Sequence, residues 1–195
     1  VIDFKPFYFS SKFNYDGLSS KNLFKDDSFL LDVIKSRIFN NKNLNSDINI
    51  NVKDITNIDE LNNLFLKIKI DEGNIRFTNS SIMWRDNLKI ILTDSRLDNE
   101  NNEVSLIGKF IFEFRELDNF YRSFQIQKIY RKEIKEIEID FVFNFNNKEI
   151  FFDNVRVDDT QNLKLEEYVN DFNSSKNRIF NKINFKNFVN NFFAA

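Results

Sequence analysis

The chain has 195 residues, of which 42% are hydrophobic and 30% charged, and its formal net charge is -2. This length and hydrophobicity suffice for one sizeable core or two small ones and exclude a disordered polymer. With no His and no Cys, the sequence excludes Ser-His-Asp and Cys-His nucleophiles, the usual zinc sites and disulfides. Its three glycines lie too far apart for a phosphate-binding glycine loop. The balance of 28 basic and 30 acidic residues predicts no nucleic-acid partner.

Two residue types dominate the composition, with 25 Phe and 31 Asn against 3 Gly and 1 Pro. This bias is typical of an AT-rich coding sequence, so we give the composition itself little structural weight. The periodicity of the apolar residues is the better guide to secondary structure.

The first predicted elements are a strand and a helix. Aromatic residues alternate with polar ones over residues 7–15, which predicts a half-buried strand with Pro6 at its entrance. Apolar residues then recur at helical spacing and predict a helix over 27–39, with Asp26 or Asp27 as its N-cap. An Asn-rich run at 40–45 ends this helix.

From residue 46 the period changes to two, which predicts an antiparallel meander. Alternating segments cover 48–52 and 64–70, and the turn Asp71-Glu72-Gly73-Asn74 is typical of a tight hairpin because Gly73 accepts a positive φ. The following strands are predicted at 75–84, 88–92 and 104–114, with turns at 85–87 and 98–102.

The C-terminal part of the chain contains both helical spacing and alternation of its apolar residues. Helical spacing over 117–127 predicts a short helix that leaves the sheet, and alternation over 137–145 and 148–157 predicts a further hairpin. After Asp158 and Asp159, of which Asp159 stands at an expected helix cap, helical spacing continues to residue 193 with a break at Asn173-Ser174-Ser175.

The predicted fold class is α+β and mainly β. It is a long-stranded, curved antiparallel meander sheet with one helix before it, one helical excursion and C-terminal helices. Because no Pro/Gly/Ser linker divides the chain, we expect a single unit over 1–195. Its parts are a strand and helix at 1–45, the curved sheet at 46–158 and the terminal helices at 159–195.

Carboxylates are the remaining candidates for catalysis. Asp26-Asp27, Asp158-Asp159 and Glu166-Glu167 are adjacent pairs, and neighbouring side chains in a strand or helix point in different directions. We therefore predict capping or solvated roles for them, and no catalytic residue, no metal site and no cofactor. An enzyme whose carboxylates converge from distant parts of the chain is the third of three functional hypotheses.

Two smaller features have a structural and a functional interpretation. Trp84 is the single tryptophan, and an aromatic position at the sheet margin is favoured over a ligand contact. The basic stretch 128–135, which contains Tyr130, could bind a phosphate, but Glu133 and the glutamates after it favour a solvated face.

The most informative feature is the apolar side of the predicted strands. Each such side chain gains ~1.5–3 kcal/mol on leaving water, so this surface must be covered. Either the helices at 27–39 and 160–193 complete an ordinary α+β core, or the sheet forms a gutter that acyl chains partly fill. The residues of this predicted lipid-binding face are Leu66, Ile68, Ile70, Ile75, Phe77, Ile90, Leu92, Phe110, Phe112, Ile139, Phe141 and Phe143.

Three motifs carry a resemblance to a known family. They are the alternating segment 47–53, the hairpin 64–77 around Gly73, and the Asn-Ser-Ser step at 79–81 before Trp84. Together with the preceding helix and Asn-Leu-Asn run at 34–45, this order resembles the C-terminal region of AsmA-like proteins from AT-rich alphaproteobacteria. The resemblance covers residues 25–160, and its motifs are structural rather than catalytic.

The resemblance implies a large periplasmic protein that is anchored in the inner membrane. Its curved sheet would be similar to that of bridge-like lipid transfer proteins and would support outer-membrane homeostasis. Because the chain begins with Val1, we expect a fragment that lacks the family's membrane anchor.

The function expected from this resemblance is non-catalytic. The apolar sheet would carry phospholipids between the inner and outer membranes, with their acyl chains as its partners. The second hypothesis is a structural or protein-interaction module of the cell envelope, which docks to an envelope protein through an exposed strand edge and has no lipid path.

Overall fold

The computed structural model describes residues 2–4, 7–19, 41–100, 103–147, 149–174 and 182–195. Within these residues the chain forms one 11-stranded sheet and three α-helices, which confirms the predicted α+β, mainly β class. The helix predicted over 27–39 and its N-cap at Asp26 or Asp27 lie outside the described residues.

The strands follow one another through the sheet almost in chain order. The sheet order is β1-β2-β3-β4-β5-β7-β8-β9-β10-β11, and β6 pairs with β4 and β7. From β3 onward every pairing is antiparallel, as predicted. The strands are β1 (Ile2–Phe4), β2 (Phe7–Ser19), β3 (Leu44–Thr56), β4 (Leu61–Asp71), β5 (Asn74–Phe77), β6 (Ser80–Trp84), β7 (Leu88–Glu100), β8 (Glu103–Phe114), β9 (Glu136–Asn144), β10 (Glu149–Val157) and β11 (Thr160–Gln161).

The pairing of β2 differs from the rest of the sheet. It runs parallel to β3, from the pair Phe7–Leu44 to the pair Ser19–Thr56. A parallel neighbour requires a crossover of about a dozen residues or more. The segment 20–43 is long enough for this. Farther along the chain most connections are short turns, which permit antiparallel pairs only, and the longer connection over 115–135 also joins an antiparallel pair, β8 and β9.

Three bulges interrupt the ladders. The register shifts in the β4–β6, β7–β8 and β9–β10 pairs. Each shift contains an Asn or Asp residue with a left-handed backbone, namely Asn63, Asp94 or Asn154, all with φ 49°. Bulges bend a strand and increase its twist, so they introduce local bends into this large sheet.

The helices are α1 (Leu117–Phe124), α2 (Leu163–Ser174) and α3 (Lys182–Ala194). Helix α1 ends earlier than the predicted 127 because Gln125 has a left-handed backbone, with φ 59°. The predicted cap at Asp159 is wrong, because Asn162 accepts the Leu165 N–H at 3.2 Å and begins α2. Asp158 and Asp159 both have positive φ and form the two-residue turn between β10 and β11 instead.

The main core lies between the three helices and one face of the C-terminal strands. Val155 of β10 and Val169 of α2 are both 0% exposed, which marks the centre of this contact. The other buried members are Leu88, Phe120, Tyr121, Phe124, Ile126, Ile137, Ile139, Phe141, Ile150, Phe152, Leu165, Val189, Phe192 and Phe193.

Candidate functional site

The strand register places all twelve residues of the predicted apolar face on one side of the sheet. Directly paired residues share a face, and the pairing carries the face from strand to strand. The pairs that do so are Ile68–Phe77, Ile70–Ile75, Phe77–Ser95, Ile90–Phe112, Leu92–Phe110, Phe110–Ile139, Gly108–Phe141 and Leu106–Phe143. Leu66 lies two residues before Ile68 on β4 and therefore shares its side.

The C-terminal part of this face is covered by helices. Ile139 and Phe141 are each 3% exposed, and the Phe110 ring stacks on Phe141 with 4.0 Å between centroids. This part of the face is therefore protein core, as in an ordinary α+β fold. Seven of the twelve residues belong to this helix-covered cluster or pack against it, namely Ile90, Leu92, Phe110, Phe112, Ile139, Phe141 and Phe143.

The N-terminal part of the face is different. None of the residues described in β2–β5 belongs to the helix-covered cluster. Ile70 and Ile75 are buried at one end of their strands, with 2% and 7% exposure, whereas Leu66, Ile68 and Phe77 are partly exposed.

The same side continues onto β3 and β2. Ile48 and Ile50 pair with Ile68 and Leu66 and are also partly exposed. Beyond them, Phe13 and Tyr15 are 44% and 46% exposed, with their rings stacked at 6.4 Å. We call this region the apolar strip and define it by Phe13, Tyr15, Ile48, Ile50, Leu66, Ile68 and Phe77.

The opposite face of the sheet is mostly polar. It carries Lys67 and Lys69 on β4, and an ion pair joins Lys109 Nζ to Glu138 Oε2 at 3.1 Å. A short apolar row across β8–β10 contains Val142, which is 37% exposed. Phe65, Ile91 and Ile111 also lie on this side, so the opposite face is mostly but not entirely polar.

The two edges of the sheet differ as well. The Asn173 side chain of α2 clamps the outer edge of β10, because its Nδ2 donates to the Phe152 carbonyl at 2.6 Å and its Oδ1 accepts the Phe152 N–H at 3.0 Å. At the other edge, β1 pairs only with Phe7–Phe9 of β2. Among the described strands, none pairs with the outer side of residues 10–19.

A carboxylate cluster, which sequence reasoning missed, lies on the polar side. Carboxylate oxygens of Glu136, Glu138 and Asp159 lie within 4.8 Å of one another. Burial, followed by the charges of Asp159 and Glu138, raises the pKa of Glu136. The i, i+2 spacing of the two glutamates on a strand signals their shared face, but the turn that brings Asp159 to them could not be read from spacing.

Two clefts have mixed linings. One of about 630 Å³ lies beside α2 and β10 and includes Asp140, Phe152 and Asn173. The other, of about 390 Å³, includes Asp47 and Lys69. Leu66 and Ile68 line neither of these two clefts.

The remaining predicted features lie at the margins of the sheet. Trp84 ends β6 as predicted, and its ring centroid lies 5.5 Å from that of Phe124. The basic stretch forms the connection from α1 to β9 and includes a one-turn 3-10 helix, Lys128–Tyr130.

The described helices include none that combines the length and the apolar character needed to cross a bilayer. The candidate site is therefore the apolar strip, whose side chains are partly exposed on the N-terminal half of the sheet, although Val52 on the same side of β3 is buried, with 2% exposure. Comparison of the chain with protein-family models, curated proteins and solved structures finds no match.

Proposed function

We propose that this chain is a non-catalytic, lipid-facing segment of a larger AsmA-like protein of the periplasm. Its sheet contributes an apolar surface along which phospholipids pass between the inner and outer membranes. The observation that carries the proposal is the partly exposed apolar strip on a sheet whose other face is mostly polar. An acyl chain laid on this strip leaves water while its headgroup stays hydrated, so no chemistry on the lipid is needed.

The motifs that resemble the AsmA-like family lie at this same site. Segments 47–53, 64–77 and 79–84 form much of β3, β4, β5 and β6. On this proposal the full-length protein is held in the inner membrane by an anchor outside this chain and supports outer-membrane homeostasis. Phospholipid acyl chains are its partners.

The helix-covered part of the face limits the proposed lipid path. Phe141 is 3% exposed and sits under the helices, so it acts as core and not as a lipid contact. The proposed contact is therefore confined to the apolar strip, with Leu66 and Ile68 at its centre. Charged substitutions at Phe141 would test folding, whereas substitutions in the strip test lipid binding.

Site-specific photocrosslinking tests the proposal directly. A benzophenone amino acid at Leu66 is expected to form phospholipid adducts, detected by mass spectrometry after irradiation with phospholipid vesicles. Lys67 is the matched control, because it neighbours Leu66 on β4 but lies on the polar face. Val142 is a second control, since it is apolar and 37% exposed on the polar side. Adducts of equal yield at Leu66 and Val142, or none at Leu66 or Ile68 in folded protein, would contradict the proposal.

The second candidate function, a module that docks through a strand edge, is favoured by the outer edge of β2. Residues 10–19 of this edge have no strand partner among the described residues, and proline cannot donate to a ladder. Proline is placed separately at Ser10 and Ser11, because the N–H groups of consecutive residues point to opposite edges of a strand. Only one of the two prolines therefore removes a donor from the outer edge of β2. Docking predicts that the proline on the outer side abolishes binding of an envelope partner and leaves lipid adducts at Leu66 unchanged.

A further inference from the structure

The connection between α1 and β9 contains a compact basic turn, which we define as Lys128–Lys132. Three of its five side chains are cationic, namely Lys128, Arg131 and Lys132, and none is acidic. Lys128 and Lys132 are exposed, and neither belongs to an ion pair among the residues that the structure describes. Glu133 follows the turn, and Lys135 lies apart from it, beside Asp158, whose Oδ1 accepts the Lys135 N–H at 2.9 Å.

An aliphatic side chain projects from the centre of this turn. Ile129 is 77% exposed, the highest value among the exposed large hydrophobic residues of the described chain. Its apolar neighbours point the other way, because Ile126 is 3% exposed and Tyr130 and Ile134 pack against the core. The turn is therefore anchored from inside and presents Ile129 outward.

Hydrogen bonds hold the turn in this conformation. The Tyr121 hydroxyl donates to the Lys132 carbonyl and accepts the Lys132 N–H at 3.1 Å. Arg131 Nε donates to the Ile126 carbonyl at 3.1 Å, and its guanidinium lies 5.8 Å from the centroid of the Tyr121 ring. Because the backbone is already ordered, binding through Ile129 costs little further conformational entropy.

We propose that the basic turn docks on the surface of a bilayer that contains anionic phospholipids. A protruding aliphatic side chain enters the boundary between headgroups and acyl chains, while flanking cations contact phosphates. A nucleic acid would use the cations but offers no apolar layer for Ile129. The turn shares no residue with the apolar strip, so this proposal is independent of the proposed function.

The test is co-sedimentation with phosphatidylcholine vesicles, with and without phosphatidylglycerol. The protein is expected to bind the phosphatidylglycerol vesicles preferentially and to dissociate as salt is raised, because exposed charges are screened. Ile129→Asp is expected to weaken binding at least about tenfold, the order expected when an aliphatic side chain no longer leaves water. Lys128→Glu with Lys132→Glu should weaken it similarly on the anionic vesicles alone.

A matched variant separates this surface from others. Leu163→Asp changes an aliphatic residue of similar exposure, 71%, at the start of α2. It is expected to keep wild-type vesicle binding, with folding checked by circular dichroism. The proposal is overturned if the wild type does not bind, if it binds both vesicle types equally, if Ile129→Asp binds normally, or if Leu163→Asp weakens binding as much.

Discussion

The two halves of the sheet present the same apolar alternation to different surroundings. On β9, Phe141 is 3% exposed beneath the helices, whereas on β4, Leu66 is partly exposed in the apolar strip. Both positions lie on the same side of one continuous sheet. Alternation therefore indicates which side of a strand is apolar, but the elements that fold over it decide whether that side becomes core or surface.

The two edges of the sheet differ in the same way as its two halves. The edge of β10 is blocked by the Asn173 side chain and by β11, whereas most of β2 has no described partner on its outer side. Exposed edges are where sheets recruit further strands. The C-terminal half is thus closed both at its face and at its edge, and the N-terminal half carries the surfaces proposed for binding.

The largest expected effect comes from truncating one side chain in each half. Phe141→Ala should destabilise the protein by about 3–5 kcal/mol, because a buried ring that stacks on Phe110 leaves a cavity. Leu66→Ala should cost about 1–2 kcal/mol, since only part of its surface is buried. Guanidinium unfolding measures both values. Equal losses would mean that the two halves are covered equally well.

A pair of glycines sharpens the same comparison. A Cβ at Gly108 would lie 2.1 Å from Ser95 Oγ and 2.9 Å from Ser95 Cα, so Gly108→Ala should cost about 1–3 kcal/mol through overpacking. At Gly17 of β2 the nearest atom is Thr56 Cγ2 at 3.8 Å, so Gly17→Ala should change stability by less than about 1 kcal/mol. Adding Ser95→Gly to Gly108→Ala should restore part of the loss. No restoration would show that the clash is with backbone alone.

The edge clamp has a smaller expected effect. Asn173→Ala removes a donor and an acceptor from Phe152, and losing these hydrogen bonds should cost about 1–2 kcal/mol. Asn173→Asp keeps the acceptor for the Phe152 N–H but places a carboxylate oxygen against the Phe152 carbonyl, so at neutral pH it should lower the unfolding midpoint at least as much as Asn173→Ala. A wild-type midpoint for either variant would show that the clamp does not act through these two bonds.

Much of the fold could be predicted because the apolar residues recur at clear helical or strand periods along the sequence. Alternation predicted β3, β4 and β7–β10, and Gly73 does occupy a positive φ of 78° in the predicted hairpin. Within each strand the side of the apolar residues followed from the period of two, whereas the strand register, including the bulge at Asp94, decides that these sides coincide across the sheet. Which helices cover them could not be predicted, because that depends on packing between α2, α3 and the sheet.

The bulges and the cap of α2 were missed for a different reason. The abundant Asn was interpreted as coding bias, yet Asn63 and Asn154 take the left-handed backbone at two bulges, and Asn162 caps α2. With three glycines in the chain, Asn and Asp are the residues that best tolerate this conformation. Some of the abundant Asn residues therefore occupy positions that the fold requires, although the sequence alone does not show which Asn takes a left-handed backbone or caps a helix.

The smallest effect tests how the helices are joined in the C-terminal half. The Tyr168 hydroxyl of α2 donates to the Phe188 carbonyl of α3 at 3.2 Å, and burial raises its pKa to about 12, against a weaker opposing effect of a hydrogen bond with Asn191. Tyr168→Phe should cost about 1 kcal/mol at neutral pH.

The dependence of this effect on pH follows from the sign of the shift. The folded pKa lies above the unfolded value of about 10, so the neutral hydroxyl favours folding, and its contribution is present below pH 10. That contribution is lost as the pH rises from 10 to about 12, so the advantage of wild type over Tyr168→Phe should shrink across this window. Thermal unfolding at pH 7, 10 and 11 measures the difference. An advantage that stays constant would show that water reaches the hydroxyl between the two helices. The packing of α2 against α3 would then be looser than the packing of the buried rings beneath these helices.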